Sequence, residues 1–413
     1  MDKAIKQITK GLFLALAMFP LMKENIGSLS IILCALFVIY DVVRLKKPRK
    51  VTKELLLFTL VFWMYFLHAI FTLDSSLDTI LFHLPFLIFP LLFFYRPVYI
   101  NAAFLEKSLL VYKASLLLQC ALFLITFLKE NTLAQVFEIS NENIPFFRTY
   151  VTEHAFVEIH PTYFSMLLLI SLSLSLFYKY KEKSISQKWF NRINILCATV
   201  FIFIYASKAV MLILGLTVLV YVFQLLKSKN PKKAGIQIAG IFLLGILLIF
   251  SFKNILIDRF DEVRTEINRP LVGDYHNSIN IRVAIFHCSK KLFSSLPVFG
   301  YGSSLQAELN ECYEANYDSN FYKISTYNTH NYYVHLLLYG GWLFLLTFLL
   351  YFLFLFRKFN KSTIVLLFLT QVLLINLSEN FFSRHYGIII FMYFVTLFSV
   401  LQKEQVKKKE NIV

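Results

Sequence analysis

Residues 253–331 read KNILIDRFDEVRTEINRPLVGDYHNSINIRVAIFHCSKKLFSSLPVFGYGSSLQAELNECYEANYDSNFYKISTYNTHN. This is the one long polar segment in a chain otherwise built from apolar runs near 20 residues long. It carries Arg259, Arg264, Arg269, Arg282, Lys290 and Lys291. It then passes through Pro297-Val298-Phe299-Gly300-Tyr301-Gly302 and ends on Thr329-His330-Asn331, where the next apolar run begins. A polar loop framed by such runs predicts an all-α polytopic membrane protein with one large helical loop outside the bilayer. A basic loop that ends in a histidine at the membrane surface points to chemistry on an anionic, lipid-borne substrate.

Composition agrees. The 413 residues are 58% hydrophobic and 16% charged, with 45 Phe and 23 Tyr, and the mean hydropathy is +0.63. A soluble protein carries nearer a quarter charged residues. Twelve spans are predicted, at 7–22, 26–43, 54–72, 77–95, 104–128, 159–178, 192–206, 208–226, 234–252, 331–356, 362–378 and 384–401. They divide the chain into an N-terminal transmembrane bundle (1–252), a loop domain (253–330) and C-terminal transmembrane helices (331–413), read as one integral unit. Lys3, Lys6 and Lys10 before the run 12–22 resemble a signal peptide. An uncleaved anchor is preferred because a second apolar run follows at once.

The net charge of +16 is read as topology and not as nucleic-acid binding. With the N-terminus inside, 26 of the 41 Lys and Arg residues fall on inner segments and 13 on outer ones, eight of these in the long loop. Short loops set orientation through this bias, so both termini are expected inside and the long loop outside. Within that loop, helical periodicity predicts helices over 255–268 and 280–295. The second places Ile281, Ile285, Cys288 and Leu292 on one stripe. Such an amphipathic helix can lie on the bilayer surface. Cys288 and Cys312 can pair if the loop faces an oxidising compartment, or stand as two free thiols. Cys34, Cys120 and Cys197 fall inside apolar runs and read as packing residues.

Several residues could carry chemistry. A neutral imidazole at His330 can accept a proton from a hydroxyl, with Asn331 beside it to orient a ring or a sugar. Read locally, the same residues make a helix start, capped by Thr329 or Asn331 with His330 at the interface, and that is the more economical reading. Arg282 can grip a phosphate with two parallel hydrogen bonds or can be a solvated helix face. Ser207-Lys208 interrupts an apolar stretch, where a lysine either snorkels or meets an anion. Gly300-Tyr301-Gly302 follows no strand and reads as a turn packed at the membrane. Glu308, Glu311, Glu314 and Asp318 form an acidic patch without metal-ligand spacing, and no Walker motif is present. No metal and no cofactor are expected. Glu379 and Arg384 flank the last outer turn, either paired or facing one cavity.

The run 297–302, then His330-Asn331, then Gly341 after nine residues resembles the hallmark of the O-antigen ligase and O-antigen polymerase superfamily of GT-C-type membrane glycosyltransferases. His160-Pro161-Thr162-Tyr163 and Ser378-Glu379-Asn380 with Arg384 are similar to further family segments. Two positions depart: Phe344 stands where a second glycine is usual, and Lys208 where arginine is usual. The resemblance implies a metal-independent inverting glycosyltransferase of the bacterial inner membrane. Its donor would be an undecaprenyl-diphosphate-linked glycan. Its acceptor would be lipid A core, a growing glycan or a protein hydroxyl, so ligase, polymerase and protein O-oligosaccharyltransferase remain open. His330 would be catalytic. Arg282, Lys208 and Arg264 would hold the diphosphate, with Asn331, His160, Glu379 and Arg384 in support. A polysaccharide or lipid transporter is the alternative class, but it should show repeats with broken helices or midplane charges, whereas here the polar residues gather at one surface.

Overall fold

The computed structural model describes residues 2–44, 50–72, 77–140, 144–178, 184–267, 280–317 and 326–410. Among these the regular structure is all helical, with no strand and one isolated antiparallel bridge between Ile139 and Pro145. Each of the twelve apolar stretches is helical. Seven helices are long and apolar enough to cross a bilayer, and Leu60–Phe71, Pro161–Phe177 and Thr363–Ile375 are shorter apolar helices. The protein is an all-α, multi-pass membrane protein.

Lipid does not distinguish an inner helix face from an outer one by hydrophobicity, so packing and polar contacts decide which helices are central. Helix Pro161–Phe177 is buried continuously from Pro161 to Ser175, and helix His385–Glu410 is buried along nearly all of its apolar length. Both carry small hydroxyl residues. Ser171 donates to Asn194 Oδ1 at 3.0 Å, and Gln371 Nε2 donates to Ser173 at 2.8 Å and to Thr217 at 2.9 Å. Helix Pro231–Ser251, rich in Leu, Ile and Phe, buries only Ala234 and Leu248 and lies at the periphery. The first helix, Asp2–Ala17, joins the common core through Phe13, Leu16 and Ala17.

The bundle has two polar ends. At one, Glu54 pairs with Lys358 and, at 2.5 Å, with Lys403, while Arg96 pairs with Glu404 at 2.7 Å. At the other end of helix Tyr332–Lys358, about 40 Å away for its 27 residues, sits the long loop. The two expected loop helices form, as Lys253–Glu266 and Asn280–Ser294. A third, Leu305–Asn316, carries Glu308, Glu311 and Glu314 of the acidic patch and buries Leu305, Leu309, Cys312 and Tyr313 at helical spacing. Its presence corrects the expectation for Asn280–Ser294. The stripe of Ile281, Ile285, Cys288 and Leu292 is buried, and the helix packs against the third helix rather than giving that stripe to the bilayer. A disulfide joins Cys288 to Cys312 with Cα atoms 5.8 Å apart.

The turn at 297–302 packs on a break in a helix rather than on the membrane. Helix Tyr332–Lys358 is interrupted at Gly341, whose φ is +68°. The Tyr301 N–H donates to the Leu338 carbonyl at 2.8 Å, and His68 Nε2 contacts the Phe299 carbonyl at 2.8 Å. A Cβ on Gly300 would lie 2.4 Å from the Tyr339 oxygen, and one on Gly341 would lie 2.3 Å from the Val298 oxygen. Two glycines at positive φ let these backbones touch. Phe344 sits against Gly340, where an added Cβ would come within 2.2 Å of its ring.

Candidate active site

A cavity of about 450 Å³ opens where the loop meets the bundle. Its wall is assembled from segments far apart in the chain. Helix Phe146–His154 contributes Arg148, and the start of helix Pro161–Phe177 contributes His160 and Thr162. Ser207 and Lys208 come from the start of helix Lys208–Leu226, Arg259 from Lys253–Glu266, and Arg282 from the first turn of Asn280–Ser294. Tyr327 and His330 precede helix Tyr332–Lys358, and Ser378 and Glu379 follow helix Thr363–Ile375. Four cations and one carboxylate line this wall among the described residues. Three helices also turn their N-terminal ends toward it, and backbone N–H groups there favour anions. The arrangement favours an anion at this wall.

Local backbone geometry sets up two of these segments. Ala206 and His330 are the two non-glycine residues at positive φ among the described residues, both at +43°. Ala206 ends helix Ile185–Tyr205 in the left-handed conformation, which reverses the chain and delivers Ser207-Lys208 to the cavity. His330 is held by its neighbours. Its N–H donates to Asn328 Oδ1 at 3.0 Å. Asn331 Oδ1 accepts from the Tyr333 and Val334 N–H groups, so the helix cap is Asn331 and makes no use of the His330 ring. Asn331 Nδ2 donates to the Leu377 carbonyl, and the Tyr332 N–H donates to the Asn376 carbonyl. Thr329 Oγ1 lies 3.1 Å from Asn380 Oδ1. These links lace the histidine segment to the Glu379 segment. Backbone strain persists where surrounding contacts over-determine it, as they do here.

Glu379 is central to the electrostatics. Arg282 Nη2 donates to its Oε1 at 3.1 Å, and His330 Nδ1 stands 3.5 Å from its Oε2. The second distance is an ion-pair distance but too long for a good hydrogen bond, and Nδ1 is buried without a hydrogen-bond partner. Burial alone would raise the Glu379 carboxyl pKa. Its contact with His330, the Arg282 charge and the neighbouring His330 and His160 outweigh that and hold it below the usual value. His160 goes the other way. Burial, with Arg148, Arg384 and His330 nearby, pushes its pKa down to about 4, against the pull of Glu379. A ring with that value is neutral near pH 7 and a weak base, so it suits hydrogen bonding better than proton abstraction.

Of the residues singled out in the sequence, His330, Arg282, Lys208, His160 and Glu379 line the cavity. Arg264 does not: it is exposed on its helix, and Arg259, one turn and a half earlier and nearly fully buried, faces the cavity instead. Arg384 is exposed outside the wall, though its charge reaches His160. Arg269, His276 and Asp318 lie outside the described residues. His287 contacts the Tyr317 hydroxyl at 2.6 Å, and His335 lies between the Tyr332 and Tyr339 rings; neither lines the cavity. Arg148 and Tyr327 carry no signal in the sequence, and Arg259 is marked there only as one of the loop's basic residues. Arg148 sits in a mixed-charge segment with no local pattern to mark it, and its approach to the Tyr205 carbonyl, at 3.4 Å, ties it to the Ser207 turn. Among the described residues no group of three or more His, Cys, Asp or Glu is arranged to hold a metal ion.

Fold and cavity together define a multi-pass membrane protein with a cationic site at one end of its bundle. The O-antigen ligase family model matches residues 193–349, and the resemblance to that superfamily read from the motifs holds. The matched stretch contains Lys208, Arg259, Arg282 and His330, and it supports glycan transfer of the O-antigen ligase type. Arg148, His160 and Glu379 lie outside it. No curated protein matches the chain.

Proposed function

We propose that the protein transfers a glycan from an undecaprenyl-diphosphate donor to an acceptor hydroxyl at the outer face of a bacterial inner membrane. The observation that carries this reading is the convergence of Arg148, Lys208, Arg259, Arg282 and His330 on one cavity at the loop end of the bundle. The Cys288–Cys312 disulfide supports an oxidising compartment on that side, as does the inward excess of Lys and Arg. Both termini would then be cytoplasmic. The site draws residues from all three stretches, 1–252, 253–330 and 331–413, which supports treating them as one unit.

In this reading the lipid tail lies against apolar helices and the diphosphate against the cations. His330 takes the proton of the acceptor hydroxyl as its oxygen attacks the anomeric carbon. The bond from that carbon to the diphosphate oxygen breaks, and the diphosphate departs with the electron pair, stabilised by fixed positive charge. Attack opposite the leaving group inverts the anomeric centre. Fixed cations take the place of a divalent ion, so transfer should persist in EDTA.

Acceptor choice is tested in a deletion strain. Complete glycan chains stranded on the lipid carrier are expected for a ligase that uses lipid A core. Single repeats on the core would instead assign polymerisation. Normal glycan on both core and carrier would reject glycan transfer here.

A further inference from the structure

Glu379 touches a donor-site cation with one oxygen and approaches the proposed base with the other. Its Oε1 accepts from Arg282 Nη2 at 3.1 Å, while its Oε2 is 3.5 Å from His330 Nδ1. The carboxylate is mostly buried, at 12% exposure, and the bonds from the Tyr332 N–H to the Asn376 carbonyl and from the Asn331 side chain to the Leu377 carbonyl fix its separation from the histidine. The groups around this centre are Arg148, His160, Arg282, His330 and Arg384, whose charges reach Glu379 or His160. Glu379 is thus an anion in a mainly cationic surround, in contact with the two residues that the proposed reaction uses for different tasks.

We infer that Glu379 is a positioning residue that holds the proton of His330 on Nδ1, and that donor binding at Arg282 strengthens this hold. The inference rests on the reading of His330 as the base. With Nδ1–H directed at Glu379, Nε2 keeps the lone pair that accepts the acceptor proton. When Nε2 is protonated, the imidazolium stays opposite a carboxylate that remains ionised. No proton passes to Glu379. Before the donor arrives, Arg282 draws the carboxylate toward itself and the Nδ1 contact stays long. A diphosphate competes for the same guanidinium. As Arg282 turns to the phosphate, the carboxylate is left to close on Nδ1. Catalytic hydrogen bonds that are long in the free enzyme commonly tighten in this way. The order that results is donor first, then an oriented base.

The test is Glu379→Gln, with His330→Ala, the double variant and Glu379→Asp, all in full-length protein reconstituted in lipid. Turnover is read with lipid-linked glycan extracted from the deletion strain, and binding with undecaprenyl diphosphate. The amide presents an N–H to Nδ1 and selects the wrong tautomer, so turnover should fall by about 10²-fold or more. Binding should be unchanged or tighter, because a neutral amide competes less for Arg282. Glu379→Asp should recover part of the turnover, and the double variant should be no slower than His330→Ala alone. Near-parental turnover in Glu379→Gln while His330→Ala is inactive would overturn the positioning role and leave the base in place. Weaker diphosphate binding in Glu379→Gln, to the level of Arg282→Ala, would make Glu379 a scaffold for the arginine only. An active His330→Ala would overturn both the base and the inference. If Glu379→Gln fails to accumulate, Glu379→Asp carries the same comparison: turnover as low as in His330→Ala with undiminished binding supports the role, and parental turnover with weakened binding rejects it.

Discussion

The two ends of the bundle each set a glutamate among cations, and they use it differently. Glu54 meets Lys358 and Lys403 and also accepts from Ser399, so its oxygens are matched by three donors from two helices. Nothing there is left to respond to a ligand; the contact ties helix ends together. Glu379 meets one arginine closely and one histidine loosely, on the wall of a cavity. A saturated carboxylate holds a fold together, whereas an incompletely matched one beside an open space can change partners. Glu54 is partly exposed and Glu379 more deeply buried, so the two differ in surroundings as well as in partner geometry.

Substitutions can break this contrast, and the largest effect belongs to the open end. His330→Ala should insert and fold normally, still bind undecaprenyl diphosphate, and lose glycan transfer by about 10²-fold or more, the scale of general-base loss. Transfer assays in membranes matched for protein amount would check this, and near-parental transfer would leave His330 as a backbone device only. Arg282→Ala should weaken diphosphate binding by about tenfold to a hundredfold, the range for a lost charge-assisted hydrogen bond. Arg282→Lys should restore only part, since a point charge does not reproduce the guanidinium fork. Equal affinity in parent and Arg282→Ala, measured by titration, would remove Arg282 from the donor site.

Backbone contacts come next. Gly341→Ala places a Cβ 2.3 Å from the Val298 oxygen at a φ of +68° and should lower stability by about 1–3 kcal/mol, read as a fall in Tm. An unchanged Tm would mean that the turn and the helix break separate easily. At the staple end, Glu54→Gln should cost about 1 kcal/mol or less and leave diphosphate binding untouched. A binding defect there would show that the two ends communicate.

The smallest effect is in pH. His160 has its pKa pushed down from 6.5 to about 4 in the folded protein. Between those values the unfolded chain binds a proton that the folded one does not, so stability falls as pH drops through that window and is flat above it. His160→Asn should flatten Tm against pH over this range. An unaltered slope would assign the dependence to other groups.

Much of the fold was legible because lipid imposes a simple rule: each apolar run of sufficient length must be a helix, and all twelve stretches are helical. The loop helices followed from periodicity, except Leu305–Asn316, where the acidic positions Glu308, Glu311 and Glu314 mask the stripe of Leu305, Leu309, Cys312 and Tyr313. Arg259 and Arg264 show the limit at the site. They are five residues apart on one helix, and local sequence treats them alike. Only the packing of Lys253–Glu266 against the bundle turns Arg259 into the cavity and leaves Arg264 outside. Arg148 shows it again, since no pattern in residues 129–158 marks the one arginine that reaches the Ser207 turn.

What the sequence by itself determined was therefore local: helix positions, the interruption at Ser207-Lys208, the polar loop, and the histidine at its end. These depend on runs of neighbouring residues meeting water or lipid. What only the tertiary structure decided was which cations share one cavity, that Cys288 meets Cys312, that the Gly300 turn rests on the break at Gly341, and that Glu379 stands between Arg282 and His330. Those relations join residues up to about a hundred positions apart or more, and no local rule of hydration or periodicity fixes the separation of such pairs. Packing alone does, because each helix can rotate freely in lipid until close contacts and buried polar partners select one orientation.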